Sequence, residues 1–341
     1  MGGSLQDNIQ IKWFIAMARF ISVIIATYGR EQALINSIND VLKQDYPAFE
    51  VIVVDQTAHH EPETDRFLNQ MAEYGKIKLF KLDWASLPGA RNYGVRRAKG
   101  EVLVFVDDDV ELPAGYLAAH AKNYDRADVG GVAGRVFDRM KLADHSSDLE
   151  IQDLPPEAMD PAIAWYHINL VHTVKPQQVL SARGCNMSYR REIFFEQGIW
   201  FDERYRGSAV REESDFGLKF RKTPYLIWYD PLSHLVHLGE ETGGCHDITT
   251  KSLSYQMTFY HNHFIMGLKH LTLTQCLRFY SRLFDCHVLG RPPCHKSGSP
   301  LKIASRLVFY TLGFGDAVWS QVKGLWDNGQ WCSDRDPLYR K

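Results

Sequence analysis

No run in this 341-residue chain approaches the roughly 18 uninterrupted apolar residues that a membrane-spanning helix needs. The apolar stretch Trp13–Thr27 near the N-terminus is broken by Arg19 and carries no small-residue cleavage site. No secretory leader is therefore expected, and its second half reads as a buried strand. Cysteine is scarce: six in a chain of this length make no disulfide framework and fit a reducing cytosol. Three Cys-His dipeptides occur, at Cys245-His246, Cys286-His287 and Cys294-His295. None has the Cys-x2-Cys spacing usual for zinc, so they read as scattered thiols and surface histidines. Net charge is nearly absent as well, a formal −2 that by itself neither demands nor forbids nucleic acid. That total hides an asymmetry. From Lys251 onward 12 Lys/Arg face 5 Asp/Glu, a net of +7 that leaves −9 on the first 250 residues. A basic tail on an acidic body suggests an anionic surface such as a phospholipid headgroup layer, and no nucleic-acid partner is expected.

What is present is ordinary globular material, 45% apolar and 23% charged, which excludes a disordered chain. The first half alternates two kinds of segment. Ile21–Thr27, Val51–Asp55, Ile77–Leu82 and Val102–Val106 are β-branched or apolar runs. Between them Arg30–Lys43, Glu63–Tyr74 and Pro88–Ala98 space their apolar residues as helices do, and Pro113 opens another helix. This rhythm predicts an α/β fold, a Rossmann-related and mainly parallel sheet flanked by helices. Gly130–Asp138, Cys185–Tyr189 and Tyr225–Tyr229 read as further strands, the last leading to His237, and Glu212–Arg221 reads as a short helix. Met140–Val174, rich in Pro, Asp and His, reads as a flexible loop over the site. Beyond Lys251 the pattern turns helical, with Ala304, Leu307, Val308, Thr311, Gly315, Val318, Trp319, Val322, Leu325 and Trp326 on one stripe.

Ligands of such sheets sit beyond the carboxyl ends of the strands. Those ends here carry Thr27-Tyr28, Asp55, Asp83 and the triplet Asp107-Asp108-Asp109. Three adjacent carboxylates repel one another unless a cation sits between them. A hard divalent ion such as Mg2+ or Mn2+ takes one or two carboxylates and leaves positions for phosphate oxygens. The plainer reading is a solvated acidic turn capping the next helix, since Asp is a common N-cap. The company of the other strand ends favours the site.

Several segments carry a more specific resemblance. Ser22–Arg30 (SVIIATYGR) resembles the opening strand of family 2 glycosyltransferases, which bear a GT-A fold. Glu50–Asp55 is similar to their second strand, and Pro88–Gly94 followed by Ala98–Gly100 to their helix and turn. Asp107–Asp109 matches their Asp-x-Asp signature. Gly184–Arg191 with Phe201–Glu203 fits the acceptor-side segment, and Arg211–Arg221 resembles the Glu-Asp-x-Asp helix. The likeness runs in consistent order over about residues 20–240. Gln56-Thr57, where the family often has small polar residues, is a departure.

The resemblance implies an inverting transfer from a nucleotide-diphosphate sugar, a UDP-sugar by default, to an acceptor hydroxyl in polysaccharide or glycolipid synthesis. It implies that Thr27, Tyr28 and Asp55 hold base and ribose, that Arg91 faces the diphosphate, and that Asp107 lies near the ribose. Arg30 and Asp83 complete the nucleotide side. Asp109 would coordinate Mn2+ or Mg2+, with Asp108 as an alternative ligand and His237 completing the shell. For His237 the plainer reading is an ordinary half-buried histidine. Glu213 occupies the position of the family's usual catalytic Asp, where a carboxylate takes the proton from the acceptor. Because Glu reaches one methylene further, Glu212 and Asp215 stay open as alternatives. A plainer reading makes that stretch a charged helix face with surface ion pairs.

Residues 1–19 are expected to form a leader segment and 20–250 the GT-A domain, with a nucleotide-sugar half at 20–137 and an acceptor half at 138–250. Residues 251–341 would be a basic amphipathic helical tail, resembling tails with which bacterial members lie on the inner face of the membrane. The alternative is that its stripe packs on the domain. Expected partners are a nucleotide sugar, a carbohydrate or lipid-linked acceptor and an anionic membrane surface, in a cytoplasmic protein peripheral to the membrane. Two other classes compete. A sugar-nucleotide pyrophosphorylase would need a Gly-rich phosphate loop that the first strand lacks. An inactive scaffold or carbohydrate-binding protein would be expected to have lost carboxylates at the triplet or the base, and both are present.

Overall fold

The apolar runs of the first half become parallel strands because helices cover them on both faces, which is why they read as nearly continuous hydrophobic stretches. A computed structural model describes residues 18–139, 153–166, 173–244, 252–292, 294 and 298–326, with side chains to residue 323. Strands β1 (Ile21–Thr27), β2 (Phe49–Asp55), β3 (Lys78–Lys81) and β4 (Val102–Val106) pair in parallel. Helices α1 (Gln32–Leu42), α2 (Pro62–Glu73) and α3 (Leu87–Arg97) connect them. Side chains alternate across the pleat. Ile21, Val23 and Ile25 of β1 and Val102, Val104 and Val106 of β4 join Leu34 and Ile38 of α1 and Leu68 of α2 in one core. Ile24, Leu103 and Phe105 face the other way, onto Ala90 and Val95 of α3.

Two glycines of the Pro88–Gly100 stretch are dictated by close approach. A Cβ on Gly94 would lie 2.6 Å from Ile24 Cγ2, and one on Gly100 would lie 2.4 Å from the Ser22 backbone nitrogen. Larger residues there would push α3 and its following turn off β1.

The second half extends the same sheet with antiparallel and parallel pairings. It contributes β5 (Val110–Glu111), α4 (Tyr116–Asn123), β6 (Val129–Asp138), β7 (Gln177–Val179), β8 (Asn186–Arg190), α5 (Glu192–Phe195), α6 (Glu212–Phe220) and β9 (Leu226–His237). The nine-stranded order is β3-β2-β1-β4-β8-β6-β9-β5, with β7 on β9. The expected mainly parallel sheet flanked by helices is thus completed by β8 running antiparallel between β4 and β6. Of the expected Met140–Val174 loop, the described part contains two short 3-10 turns, Pro156–Met159 and Ala164–Tyr166. Residues 140–152 and 167–172 lie outside the described residues, as do most of the expected leader and Cys245, His246 and His295.

The C-terminal helices α7 (Leu253–His270), α8 (Leu273–Leu283) and α9 (Pro300–Trp326) build a third core. α7 is no surface helix: Phe259 to Gly267 are all buried, and its cluster shares Leu218 of α6 and Tyr205. The outer helix α9 does not pack through the expected stripe as the alternative reading would have it. Its packed line runs through Gly313, Ala317 and Ser320, while Leu307, Val308, Val318, Trp319 and Val322 of the expected stripe face solvent. Gly313 sits so close to Tyr260 on α7 that a Cβ would come within 2.6 Å. Small residues let the helices approach along this line, with Ile303, Phe309 and Tyr310 packed beside it. Leu325 and Trp326 lie beyond the described side chains.

Candidate active site

The triplet follows β4 directly and is pinned again one residue later. Buried Ser37 on α1 donates its hydroxyl to the Val110 carbonyl at 3.0 Å and accepts from the Val110 N–H at 2.9 Å. Between these anchors residues 108–109 form a bend. The short strand β5 pairs Val110 with His237 at the end of β9, which carries that histidine to the triplet. His237 Nε2 lies 3.4 Å from Asp109 Oδ1 and 3.9 Å from Asp107 Oδ2. One ligand atom from each of Asp107, Asp109 and His237 falls within 4.8 Å of the others, and among the described residues no other His/Cys/Asp/Glu group meets that condition. Two carboxylates and one imidazole are a donor set that suits Mn2+, or Mg2+ with less nitrogen preference.

Asp108, an alternative ligand from sequence, is not part of that group. It is buried against Arg30, whose Nε lies 3.2 Å from Asp108 Oδ1 while Nη2 lies 2.9 Å from Asp109 Oδ2. Burial, only partly offset by Arg30, pushes the Asp108 carboxyl up to about 7. Burial also raises Asp109, with His237 opposing the shift and Asp107 adding to it. For His237 burial works against the charged form, yet the carboxylates of Asp138, Asp107 and Asp109 outweigh it and hold its pKa above the ordinary value. Arg30 is thus paired with both Asp108 and Asp109 of the triplet. It also donates to the carbonyls of Glu240 and Thr242, tying the segment after β9 across the strand ends.

The other nucleotide-side residues separate. Thr27 is buried and Tyr28 is 47% exposed, an aromatic face open at the β1 end. Asp55 is fully buried and its lone pairs are taken. It accepts from the Thr57 N–H at 2.8 Å, from His60 Nε2 at 2.9 Å and from Lys81 at 2.6 Å. Burial raises its pKa, but Lys81, Thr57 and His60 outweigh that and lower it. Sequence reading missed His60 and Lys81 because neither belongs to a motif. Asp83 is exposed and joins none of these networks. Arg91 is 3% exposed in its side chain and lies within ion-pair reach of Glu212, Asp107 and the Gly184 carbonyl. These contacts tie α6 to the triplet.

The three carboxylates on α6 have three different environments, none of them the solvated ion-pair face of the plainer reading. Glu212 is buried on Arg91. Asp215 is fully buried and held by Lys269, by Lys219 at 2.8 Å and by His270 at 2.7 Å. These partners overcome burial and hold Asp215 well below the usual carboxylate range, and Lys269 and Arg204 do the same for Asp202. Glu212 and Asp215, the two alternatives, are thus both held in buried ion pairs. Among the described residues Glu213 has no ion-pair partner, is half-buried, and has a pKa raised by burial against the pull of Arg211, Arg91 and Arg183. The turn into α6 is strained, with Ala209 at φ 52° and Arg211 at φ 78°, a backbone region costly outside glycine. Arg211 Nε donates to His263 on α7 at 3.1 Å, so the C-terminal helices brace the turn that aims Glu213.

Asp215→Ala is therefore expected to act on stability. Removing one partner of a buried charge cluster costs about 3–5 kcal/mol, visible as a large fall in melting temperature. The depressed pKa values of Asp202 and Asp215 add a pH dependence. Both are ionised in the folded state, so their contribution is complete above about pH 4, the unfolded value, and is lost as pH falls below it. Urea titrations of the wild type and of Asp215→Ala at pH 7 and pH 3 check this. Similar midpoints for the two proteins at pH 7 would show that the cluster is not holding α6 to α7.

Comparison with known proteins accords with this architecture. The sequence profile of glycosyl transferase family 2 matches residues 22–195, just over half of the chain. The chain belongs to glycosyl transferase family 2. Among its relatives is the poly(ribitol-phosphate) beta-N-acetylglucosaminyltransferase TarS of Staphylococcus aureus, 24% identical over 201 residues, 55% of this chain and 30% of TarS. A second is a GalNAc(5)-diNAcBac-PP-undecaprenol beta-1,3-glucosyltransferase of Campylobacter jejuni, 32% identical over 100 residues, 29% of this chain and 32% of that protein. These matches thus span about a third or less of the relatives' own length. In structure, the family fold recurs in S. aureus TarS 1–349 in complex with UDP-GlcNAc, with a TM-score of 0.55 at 17% identity, covering 89% of this chain and 92% of that one. It recurs too in GalNAc-T7 with UDP, GalNAc and Mn2+, with a TM-score of 0.55 at 16% identity, covering 90% and 58%. These likenesses establish the GT-A fold expected from sequence.

Proposed function

We propose that this chain transfers a sugar from a nucleotide-diphosphate sugar to an acceptor hydroxyl with inversion, in the synthesis of a cell-surface polysaccharide or glycolipid. The observation that carries the reading is the convergence of Asp107, Asp109 and His237 at the carboxyl edge of the sheet. A divalent ion bound there would neutralise charge on the departing diphosphate. Tyr28 offers a ring on which a base can stack. Arg91 links the triplet to α6 and keeps Glu212 neutralised, leaving Glu213 as the carboxylate able to take the acceptor proton. Burial raises its pKa, the direction that strengthens a carboxylate as a base. UDP and Mn2+ accompany a structural neighbour, which supports a UDP-sugar as the first donor to test. A pyrophosphorylase is disfavoured by family membership and by a carboxylate helix it would not use. An inactive scaffold is disfavoured by the retention of every acidic group in the cluster. Release of nucleoside diphosphate from UDP-, dTDP- and GDP-sugars with Mn2+ tests the proposal. No release from any of them, with lipid-linked and soluble glycan acceptors supplied, would sink it.

The acceptor class and location form part of the same proposal. The C. jejuni relative is named for a lipid-linked acceptor, which supports such an acceptor here. Among the described residues no helix is long and apolar enough to cross a membrane. The outward face of α9 supports surface attachment instead. Leu307, Val308, Leu312, Phe314, Val318 and Trp319 are all exposed, with exposed Lys302 and Lys323 towards the two ends. An apolar stripe bracketed by cations fits anionic headgroups over the acyl boundary, on the cytoplasmic face. Vesicles containing phosphatidylglycerol should co-float with the wild type and not with Leu307→Asp/Trp319→Asp. Both side chains face solvent, so melting should hardly change. Equal flotation would reject attachment through this face, and a wild-type dimer that the double variant breaks would assign the face to self-association.

A further inference from the structure

His237 comes to the triplet from a strand, and a neutral imidazole can offer a cation only the nitrogen that lacks a proton. Which nitrogen that is depends on what the other one meets. In the parallel register of β6 and β9, Asp138 is the direct neighbour of His237. Asp138 Oδ1 lies 3.4 Å from His237 Nδ1, on the side of the ring opposite the one that faces Asp107 and Asp109. Asp138 is itself held. Arg183 forks onto it, with Nη1 donating to Oδ2 at 3.0 Å and Nη2 donating to Oδ1 at 2.9 Å. The Asp138 side chain is 14% exposed, and nothing in the family motifs quoted above includes it or Arg183.

We propose that Asp138, clamped by Arg183, is a positioning residue that fixes His237 as an Nε2 ligand and so sets the affinity and choice of the divalent ion. The inference rests on the reading of Asp107, Asp109 and His237 as the cation site. With a carboxylate against Nδ1, the proton belongs on Nδ1 and the lone pair of Nε2 is directed at the two aspartates. The opposite tautomer would set the Nδ1 lone pair against the Asp138 carboxylate and aim an N–H at the cation. Orienting carboxylates of this kind also raise the basicity of a ligating imidazole. Arg183 has its own task. A bidentate guanidinium fixes the plane of a carboxylate, so Asp138 is kept from rotating towards the triplet as a third carboxylate ligand. The site then retains two oxygens and one nitrogen, a set that favours Mn2+ over the oxygen-seeking Mg2+.

Titration of free Mn2+ by electron paramagnetic resonance, without nucleotide, reads this directly, with Mg2+ affinity taken from competition. Asp138→Asn keeps the shape and removes the charge, and Arg183→Gln removes the clamp. Arg183 is 36% exposed in its side chain and can be hydrated when Asp138 is neutralised, so both variants should melt near the wild type. Asp138→Asn should bind Mn2+ about 10–100-fold more weakly, with Mg2+ affinity changed much less and Arg183→Gln shifted in the same direction. If the wild type binds Mn2+ and both variants match it, the positioning role is overturned while the cation site stands. Equal loss of Mn2+ and Mg2+ would also overturn it, by pointing to general damage. If the wild type binds no Mn2+ while Asp109→Ala behaves identically, the cation site fails and this inference with it.

Discussion

Glu213→Gln should lower kcat by about 10²–10⁴-fold, the usual contribution of a positioned base, while nucleotide-sugar affinity stays within a few-fold. The expectation follows from the unequal fates of the carboxylates on α6. Glu212 is consumed by Arg91, and Asp215 by Lys269, Lys219 and His270, so neither can take a proton without breaking a buried ion pair. Glu213 has no such partner among the described residues, and its strained leading turn is braced from α7. Gln preserves the size and the hydrogen-bonding shape, so a structural role alone would leave turnover nearly intact. The pH profile gives a second reading. The base must be ionised, so kcat should fall as pH drops through the raised pKa of Glu213, on a limb above the ordinary Glu range. That limb should vanish in the variant. Normal turnover in Glu213→Gln would transfer the role to another group.

Asp109→Ala should abolish metal-dependent donor binding and transfer. A bound divalent ion supplies several kcal/mol to a developing phosphate charge, and each 1.4 kcal/mol is about tenfold in rate, so a loss of at least about 10³-fold is expected. Asp109 also accepts from Arg30 and from the Glu240 N–H, so its removal loosens the segment after β9 too. His237→Ala separates the two effects, because it removes a ligand and leaves Arg30 and Glu240 on Asp109. Steady-state kinetics over a range of Mn2+ concentrations check both variants. Full activity of either at low Mn2+, or of the wild type in chelator, would refute the assignment.

The parts of this arrangement legible in sequence were those written as continuous signals. β1, β2 and β4 are largely buried on both faces, so each carries a mostly apolar, β-branched run, with Thr27, Asp55 and Asp107 at or just past its end. Of the later strands, β6, β8 and the start of β9 were also legible, but the rest were not. β5 has two residues and β7 three, too short for any period, and β9 runs through Asp230 and Pro231. Yet β5 is the element that seats His237 beside the triplet. Burial of charge was equally invisible: the spacing of Glu212, Asp215 and Lys219 is the same whether a helix face is wet or dry. The stripe on α9 shows the limit of periodicity from the other side. Helical spacing of apolar residues says that one face differs from the other, not which one packs. Here the close approach of Gly313 and Ala317 to α7 sets the packed line, with Ile303, Phe309 and Tyr310 beside it.

On the proposed reading, Asp107, Asp109 and His237 hold a divalent ion through which a nucleoside diphosphate binds. Calorimetric titration of UDP, dTDP and GDP into the wild-type protein, with saturating Mn2+ and then with EDTA, tests it without knowledge of the acceptor. At least one nucleotide should bind with Mn2+ and weaken about 10²-fold or more in EDTA, a difference of about 3 kcal/mol. Binding of equal strength with and without the ion would contradict it.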